Sequence, residues 1–349
     1  MASIMLAAGA LPQGRAQTSS EDTLTQRLRF GWLGRSDVQE FLWDLSQRVA
    51  LPRDWLEKQF RNLGVQPRAL LLMYPPPPPP GEPAAKKSWA RYLAAHVGEV
   101  RVSEGYEFLR QHRNAFHVAT EQSGVPANII AAIIGVETRY GKYTGNFPAL
   151  ETLTTLAFES PRRTDFFKRE LESLLIMGRQ GVIDLKQSKG SYAGALGLPQ
   201  FMPSSWRSYA QGYQRKDRAD LINNPRDAIV SVGNFLKVHG WKRDEPSHSP
   251  VITDTSNTAL SRFIAPRLEP LHTVAELHQM GAVQIQEKLN PSMKASLIDL
   301  PEEDNSVRYW MAAHNFFVIT QYNRSFMYAA AVLTLADALA DTRTARSAG

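Results

Sequence analysis

Apolar residues recur at helical spacing over most of the chain, which predicts a mainly helical protein. The clearest helix lies between Asn224 and Gly240. Asn224 and Pro225 are typical of a helix start, and Gly240 is typical of an end. Ser325 is predicted to cap a last helix that has an apolar stripe of its own. Start signals and periodicity agree in both segments, so both helices are expected.

Capping signals and periodicity predict further helices. Ser36 and Thr273 each have capping-box spacing, with a glutamine or glutamate three residues on and apolar residues at helical intervals behind it. Shorter helices are predicted over 52–62 and along 89–123. The segment 126–140 is apolar nearly all round, which predicts a buried helix.

A small β element is predicted toward the C-terminal end. Three short segments there, 296–300, 307–311 and 316–320, are rich in β-branched and aromatic residues. Earlier in the chain, the proline-rich connection 75–83 must be extended and is expected to link helical pieces at the surface. The predicted fold class is therefore mainly α, of the α+β type, with a small β element.

Composition excludes several classes of protein. The chain has 349 residues, of which 43% are apolar, yet no run approaches the roughly 18 consecutive apolar residues of a membrane-spanning helix. It has no cysteine, which excludes disulfides, thiolate nucleophiles and lipid attachment at a cysteine. The excess of 40 Lys and Arg over 34 Asp and Glu is small and interleaved with acids, so nucleic acid is not an expected partner.

Residues 1–30 are predicted to be a leader or a disordered segment. An apolar run from Ile4 to Leu11, followed by small residues, resembles the end of a secretory signal, although the basic start of such a signal is missing. A disordered, alanine-rich terminus is the alternative.

Glu137 is the candidate for acid catalysis, since it is the only acid in the apolar helix predicted over 126–140. The side chains one helical turn away are not cations, so burial is expected to raise the pKa of this carboxyl. A raised pKa suits a general acid near neutral pH. The alternative is that Glu137 lies at the helix end, reaches water and pairs with Arg139 or Lys142. This helix alone does not decide between the two.

Two further clusters have side chains that suit a carbohydrate cleft. The segment 190–206 is punctuated by glycines, has no charge, and mixes hydroxyls, an amide and aromatic rings. The segment 321–328 combines polar and aromatic residues at a predicted strand-to-helix turn, where binding residues often lie. No His-Glu-x-x-His pair occurs, and neither a metal nor another cofactor is expected.

Together these segments resemble the lytic murein transglycosylase B family of bacterial cell-wall enzymes. Weaker similarity runs from about residue 36 to residue 92, so the resemblance covers most of the chain after the leader. The matching stretches are 128–146, 160–163, 190–205, 225–241 and 317–328.

The resemblance implies a goose-type lysozyme-like core that acts on peptidoglycan in the periplasm. Such enzymes cleave the β-1,4 bond between N-acetylmuramic acid and N-acetylglucosamine without water, and leave a 1,6-anhydro ring. The family's catalytic glutamate falls on Glu137. The resemblance also implies that the following residues bind the glycan strand: Tyr92, Arg162, Arg163, Ser191, Gln200, Phe201, Met202, Tyr322, Asn323 and Tyr328.

An ordinary glycosidase uses two carboxylates, whereas the resemblance implies one. Glu137 is expected to act first as the acid and then as the base, while the N-acetyl group of the muramic sugar assists. Two alternatives stay open: a hydrolytic muramidase that admits water, and a non-catalytic peptidoglycan-binding scaffold.

The expected domains follow the resemblance. They are a helical subdomain over 31–112, the catalytic core over 113–262, a small helical and β insertion over 263–310, and a returning strand and helix over 311–345. Because the chain has no cysteine for a lipid anchor, a soluble periplasmic form is expected. A monomer is the default expectation for its oligomeric state. Proteins of cell-wall synthesis are candidate partners.

One stretch departs from the family. Relatives can carry a calcium loop just before the helix that begins here at Pro225. In this chain the stretch 212–220 lacks alternating oxygen ligands, and Arg215, Lys216 and Arg218 would repel a divalent cation. No calcium site is expected.

Overall fold

The structure, a computed structural model, describes residues 31–81, 86–214, 218–253, 263–265 and 268–341. Within these ranges a short 3₁₀ helix at Trp32–Gly34 precedes fourteen α-helices. The helices are α1 Ser36–Arg48, α2 Arg53–Phe60, α3 Pro67–Met73, α4 Trp89–His96, α5 Glu99–Gln111, α6 Arg113–Ser123, α7 Ala127–Thr138, α8 Ala149–Glu159, α9 Thr164–Arg179, α10 Pro203–Tyr209, α11 Pro225–Val238, α12 Val274–Gln279, α13 His314–Ile319 and α14 Phe326–Ala340. None of them is long and apolar enough to span a bilayer.

Seven strands in the same ranges form two antiparallel sheets. Strands β1 and β2 make a two-stranded sheet, and the other five pair in the order β4-β6-β7-β3-β5. The strands are β1 Phe147–Pro148, β2 Lys189–Gly190, β3 His248–Thr253, β4 His272–Thr273, β5 Ala282–Gln284, β6 Lys294–Pro301 and β7 Val307–Ala313. The larger sheet packs its own small core and joins the helical body through α13 and α14.

Helix α7 lies at the centre of the main core. Every residue from Ile129 to Val136 is buried, because α5, α6, α11 and α14 pack around it. This burial explains why the helix lacks a polar face. It ends in a turn where Arg139, Tyr140 and Gly141 all have positive φ. Glu137 therefore lies in the last turn of a deeply buried helix.

Most of the predicted helices are confirmed. The side chain of Asn224 caps α11, Ser325 caps α14, and Thr273 and Glu276 form the capping box of α12. The segment 89–123 is helical but divides into α4, α5 and α6. Prolines 75–79 have no regular structure and are exposed, as a surface connection requires.

Two predictions about local structure are wrong. The segment 316–320 is helical and belongs to α13, not to a strand. All of its apolar side chains are buried, and such a run has the same pattern in a buried helix and in a buried strand. Ser36 is the first residue of α1 rather than its cap; Arg35 takes that position, and its guanidinium pairs with Asp37.

Strands 296–300 and 307–311 are confirmed as parts of β6 and β7, and β3 was not predicted. Strand β3 pairs with β7, which joins residues on both sides of the expected insertion 263–310 in one sheet. The predicted leader 1–30, the end of the proline-rich connection at 82–83 and residues 215–217 lie outside the described residues.

Candidate active site

The Glu137 carboxyl is held at the end of α7 against α14. The Tyr328 hydroxyl donates a hydrogen bond to Glu137 Oε1, with the two oxygens 2.6 Å apart. Burial raises the pKa of Glu137 to about 7, and the Tyr328 hydrogen bond limits that rise. Glu137 is thus a carboxylic acid that is about half protonated near neutral pH.

The two cationic residues that follow Glu137, Arg139 and Lys142, pair with Glu104 and not with Glu137. Arg139 Nε and Nη2 bind the two carboxylate oxygens of Glu104 at 2.5 and 2.6 Å, and Lys142 Nζ lies 2.8 Å from Oε1 of Glu104. The Arg139 guanidinium, more than Lys142, lowers the pKa of Glu104 to about 2. The alternative in which Glu137 pairs with Arg139 or Lys142 is therefore wrong.

Glu104 holds the turn that follows the acid, and sequence reasoning missed it. The turn places two consecutive non-glycine residues, Arg139 and Tyr140, at φ of 51° and 59°, a left-handed conformation that costs energy unless its surroundings hold it. Glu104 binds the first of these residues. The Tyr140 hydroxyl donates to the Arg101 carbonyl at 3.0 Å. No motif marks Glu104, because α5 meets this turn only through the tertiary fold.

Three tyrosines surround the acid. The rings of Tyr322 and Tyr328 are stacked, with centroids 6.4 Å apart and planes 14° from parallel. Burial, followed by the nearby charge of Glu137, raises the pKa of Tyr322, Tyr328 and Tyr92. Tyr92 comes from α4, Tyr322 from the segment between α13 and α14, and Tyr328 from the first turn of α14, and the fold brings them to Glu137.

The Tyr92 hydroxyl has an unusual position. Its oxygen is buried and has no hydrogen-bond partner among the described residues. Its ring lies between Trp89 and His96, at centroid distances of 6.3 and 4.4 Å. A buried hydroxyl without a partner carries a desolvation cost that a bound ligand can relieve.

The glycine-punctuated segment packs tightly beside α7. Ser191 Oγ accepts a hydrogen bond from Ala195 N at 3.1 Å, and the residue is 1% exposed. Gln200 has φ 50°, and its side-chain nitrogen donates to the carbonyls of Thr144 and Gly197 at 3.0 and 2.9 Å. Both donor hydrogens of Gln200 are thus used, which leaves its side-chain oxygen as the group that can meet a ligand.

The side chains of Phe201 and Met202 are buried in the main core. Phe201 is 2% exposed and its ring packs against Phe235 and Tyr322. Met202 is 5% exposed at the start of α10. Their side chains contribute to the main core, and contact with a glycan through them stays a prediction.

The turn before α14 provides a buried amide. Asn323 is 7% exposed, and its side chain makes no hydrogen bond to any described residue. Its neighbour Tyr322 is anchored instead, because its hydroxyl donates to the Pro199 carbonyl at 2.6 Å. A buried amide with free donors and acceptor is suited to bind an amide of a ligand.

Arg162 and Arg163 lie at the surface before α9. The Arg162 guanidinium lies 5.4 Å from the centroid of the Tyr74 ring, and that of Arg163 lies 4.3 Å from the Phe166 ring. No contact between described residues joins either arginine to Glu137, so their role in binding also stays a prediction.

The described acids at the start of α11 and just before it bind backbone N–H groups. The two carboxylate oxygens of Asp227 accept hydrogen bonds from Tyr213 N at 2.8 Å and Asp220 N at 2.9 Å. The Asp220 carboxylate accepts from Ile222 N and Asn223 N. Backbone N–H groups thus engage both oxygens of Asp227 and one oxygen of Asp220, whereas a calcium ion requires several carboxylate and carbonyl oxygens directed at one point.

Comparison with known proteins agrees with this fold and site. The family model of the transglycosylase SLT domain matches residues 34–337. Membrane-bound lytic murein transglycosylase B of Escherichia coli (strain K12) is 36% identical over 256 residues, which cover 73% of this chain and 68% of that protein.

Two solved structures extend the comparison. Soluble lytic transglycosylase SltB1 of Pseudomonas aeruginosa superimposes with a TM-score of 0.77 at 33% identity, covering 87% of this chain and 98% of that one. The E. coli lytic transglycosylase Slt35 in complex with calcium gives a TM-score of 0.75 at 33% identity, covering 87% and 93%.

These findings define a mainly helical, lysozyme-like enzyme of the lytic transglycosylase class, as the resemblance implied. The chain belongs to the lytic murein transglycosylase B family, whose members cleave peptidoglycan. Slt35 is described in complex with calcium.

Proposed function

We propose that this enzyme cleaves the β-1,4 bond between N-acetylmuramic acid and N-acetylglucosamine and releases 1,6-anhydromuropeptides. The observation that carries the proposal is the Glu137 carboxyl at the end of α7, which accepts a hydrogen bond from Tyr328 at 2.6 Å and whose pKa burial raises to about 7. Most glycosidases use two carboxylates about 5–10 Å apart, whereas the mechanism proposed here uses Glu137 alone.

Glu137 acts first as an acid. Its protonated carboxyl gives a proton to the glycosidic oxygen, and the bond from that oxygen to C1 of the muramic sugar breaks. The oxygen of the sugar's own N-acetyl group bonds to C1 as the leaving group departs. Glu137 is now a carboxylate, and the hydrogen bond from Tyr328 stabilises that charge.

Glu137 then acts as a base. It takes the proton of the sugar's 6-hydroxyl as that oxygen attacks C1 and displaces the acetyl oxygen. The proton given in the first step is recovered, and no water is consumed. The Asn323 amide and the Ser191 hydroxyl are proposed to hold the N-acetyl group, because both are buried polar groups that can donate a hydrogen bond.

The remaining contacts belong to the same proposal. The Tyr92 hydroxyl, the Gln200 oxygen and the Tyr322 ring are proposed to bind the glycan strand near the acid, and Arg162 and Arg163 farther along it. The Phe201 and Met202 side chains would shape the cleft from behind. The protein would work as a periplasmic monomer in contact with proteins of cell-wall synthesis.

The test is mass spectrometry of the muropeptides released from purified peptidoglycan. Anhydromuropeptides are expected from the wild type and from the control Glu107→Gln, which alters an exposed glutamate on α5. None are expected from Glu137→Gln, although it should still bind the wall. Products heavier by one water would identify a hydrolytic muramidase. No products from any variant, with wall binding intact, would identify a scaffold.

A further inference from the structure

A cationic cavity lies where the end of α5 meets the starts of α6 and α11. Its volume is about 300 Å³. No acid is among the described residues that line it, although three arginines are. The lining includes Arg110, His112, Arg113, Asn114, Tyr213 and Arg226.

Two helices begin at this cavity and run in the same direction. Arg113 is the first residue of α6, Arg226 is the second residue of α11, and the two helices pack side by side. Near their other ends, Lys237 Nζ on α11 donates to the Gln122 carbonyl on α6 at 2.7 Å. Each helix start carries a partial positive charge, so two positive helix ends meet at the cavity.

The guanidiniums of Arg113 and Arg226 add two full charges. Both side chains are exposed, and neither makes an ion pair or a side-chain hydrogen bond with a described residue. The Arg226 guanidinium lies 5.7 Å from the centroid of the Tyr213 ring. Arg110 differs, because its Nε and Nη2 bind the Glu107 carboxylate at 2.8 and 2.7 Å. Two of the three arginines are therefore available to a ligand.

The backbone at the start of α6 provides further donors. The N–H groups of Arg113 and Asn114 donate to no residue in the described ranges, and the His112 side chain does not cap the helix. The first bond of the turn runs from Ala115 N to the His112 carbonyl at 2.9 Å. Free N–H groups at a helix start favour an anion.

The positive charge of this cavity has no carboxylate to balance it. Asp227, next to Arg226 in the sequence, directs both carboxylate oxygens to backbone N–H groups. His112 is affected by the same charge, since burial lowers its pKa and the Arg226 guanidinium lowers it further. Cations in the first turn of a helix are unfavourable, and a bound anion would remove that cost.

The number of donors favours a phosphate group over a carboxylate. One guanidinium is enough for the two oxygens of a carboxylate, which it binds with two parallel hydrogen bonds. Two guanidiniums and two N–H groups suit the larger set of oxygens on a phosphate. The cavity has roughly ten times the volume of one water in the liquid, so it has room for a phosphate and a few carbon atoms.

We propose that this cavity binds a phosphate group, held by the guanidiniums of Arg113 and Arg226 and by the N–H groups at the start of α6. The group belongs to an anionic lipid headgroup or to a free phosphate ester. None of these residues is part of the proposed glycan site, so the inference goes beyond the proposed function and does not depend on it.

The first test is calorimetric titration with glycerol phosphate, at an ionic strength held constant with sodium chloride. The wild type should bind, and the double variant Arg113→Gln/Arg226→Gln should bind about tenfold more weakly or less, as for loss of charge-assisted hydrogen bonds. The control Arg61→Gln alters an exposed arginine just after α2 and should bind with the wild-type affinity.

The melting temperature of the double variant checks that its fold is intact. Without phosphate it should melt at or above the wild-type temperature, because cations have been removed from two helix starts. A lower melting temperature would contradict the account of unbalanced charge.

The titration of His112 locates the bound phosphate. An anion in the cavity favours the charged imidazole, so glycerol phosphate should raise the pKa of His112 measured by NMR. An unchanged pKa with phosphate bound would place the ligand elsewhere and overturn the inference.

Vesicles distinguish the two sources of phosphate. Cosedimentation with phosphatidylglycerol vesicles but not with phosphatidylcholine vesicles, lost in the double variant, would assign a lipid headgroup. Arginine-dependent binding of glycerol phosphate without binding to either vesicle would assign a free phosphate ester. If neither probe shows binding that depends on Arg113 and Arg226, the inference is wrong.

Discussion

Removal of the Tyr328 hydroxyl should move the pH dependence of the reaction toward alkaline pH. The hydroxyl donates to Glu137 at 2.6 Å and so favours the charged carboxylate, which lowers the pKa that burial raises. In Tyr328→Phe burial remains and the hydrogen bond is lost. The pKa of Glu137 should therefore rise above its wild-type value of about 7.

The size of the shift follows from the type of contact. A hydrogen bond to a charged group contributes about 1.5–3 kcal/mol, and one pKa unit corresponds to about 1.4 kcal/mol. The expected shift is therefore about one to two pH units. The first chemical step needs the protonated carboxyl, so kcat/KM of the wild type should fall as pH rises through about 7. In Tyr328→Phe this fall should occur about one to two pH units higher.

The assay is the rate of release of soluble muropeptides between pH 5 and pH 10, measured at low substrate concentration. The matched control is Tyr106→Phe, which removes a hydroxyl that donates to the Ala338 carbonyl at 2.8 Å, at the other end of α14. It should leave the pH profile unchanged. A Tyr328→Phe profile with the wild-type midpoint and only a lower maximum would refute the account of how the acid is tuned.

Further predictions concern the stability of the protein. The pKa of Glu137 is about 7 in the folded protein, whereas its ordinary value is 4.5. The folded protein therefore binds this proton more tightly than the unfolded chain, and the free energy of unfolding falls as pH rises from 4.5 to 7. At pH 8 the free energy of unfolding of Glu137→Gln should therefore exceed that of the wild type by roughly 3 kcal/mol, and its melting temperature should be higher. At pH 4 the two proteins should be equally stable. An equal difference at both pH values would contradict this. Gly145→Ala should reduce both stability and activity strongly. Gly145 has φ 93°, and a Cβ there would collide with the Gly190 carbonyl and lie 2.6 Å from Ser191 N. The control Gly98→Ala places its Cβ in open space, so it should melt at the wild-type temperature. Asp227→Ala should lower the free energy of unfolding by about 1–3 kcal/mol, because it leaves two partly buried N–H groups without an acceptor. Calorimetry with a chelator should leave the wild-type melting temperature unchanged, and a fall with chelator would show a bound cation.

The position of the acid could be predicted from the sequence, whereas the hydrogen bond that tunes its pKa could not. Glu137 is the only acid in an apolar helix, and this contrast can be recognised from the order of the residues alone. The hydrogen bond that tunes it comes from Tyr328, 191 residues away. Helical periodicity relates residues three and four apart, and it contains no information about which distant helix lies against which face.

The local errors have a similar origin. The segment 316–320 is buried on all sides, so its pattern does not separate helix from strand. Glu104 has the pattern of a surface residue on α5, yet it binds the residues that end α7. Capping at Asn224, Thr273 and Ser325 was predictable because the side chain and the N–H groups that it accepts from are at most three residues apart.

The most direct test of the central claim is digestion of purified peptidoglycan in water enriched in oxygen-18. If Glu137 acts alone as acid and then base, the sugar's own hydroxyl closes the ring. The muropeptides should then contain no label and should lack one water in mass. Label at C1 of the released muramic residue would show that water attacks, and would contradict the single-carboxylate mechanism.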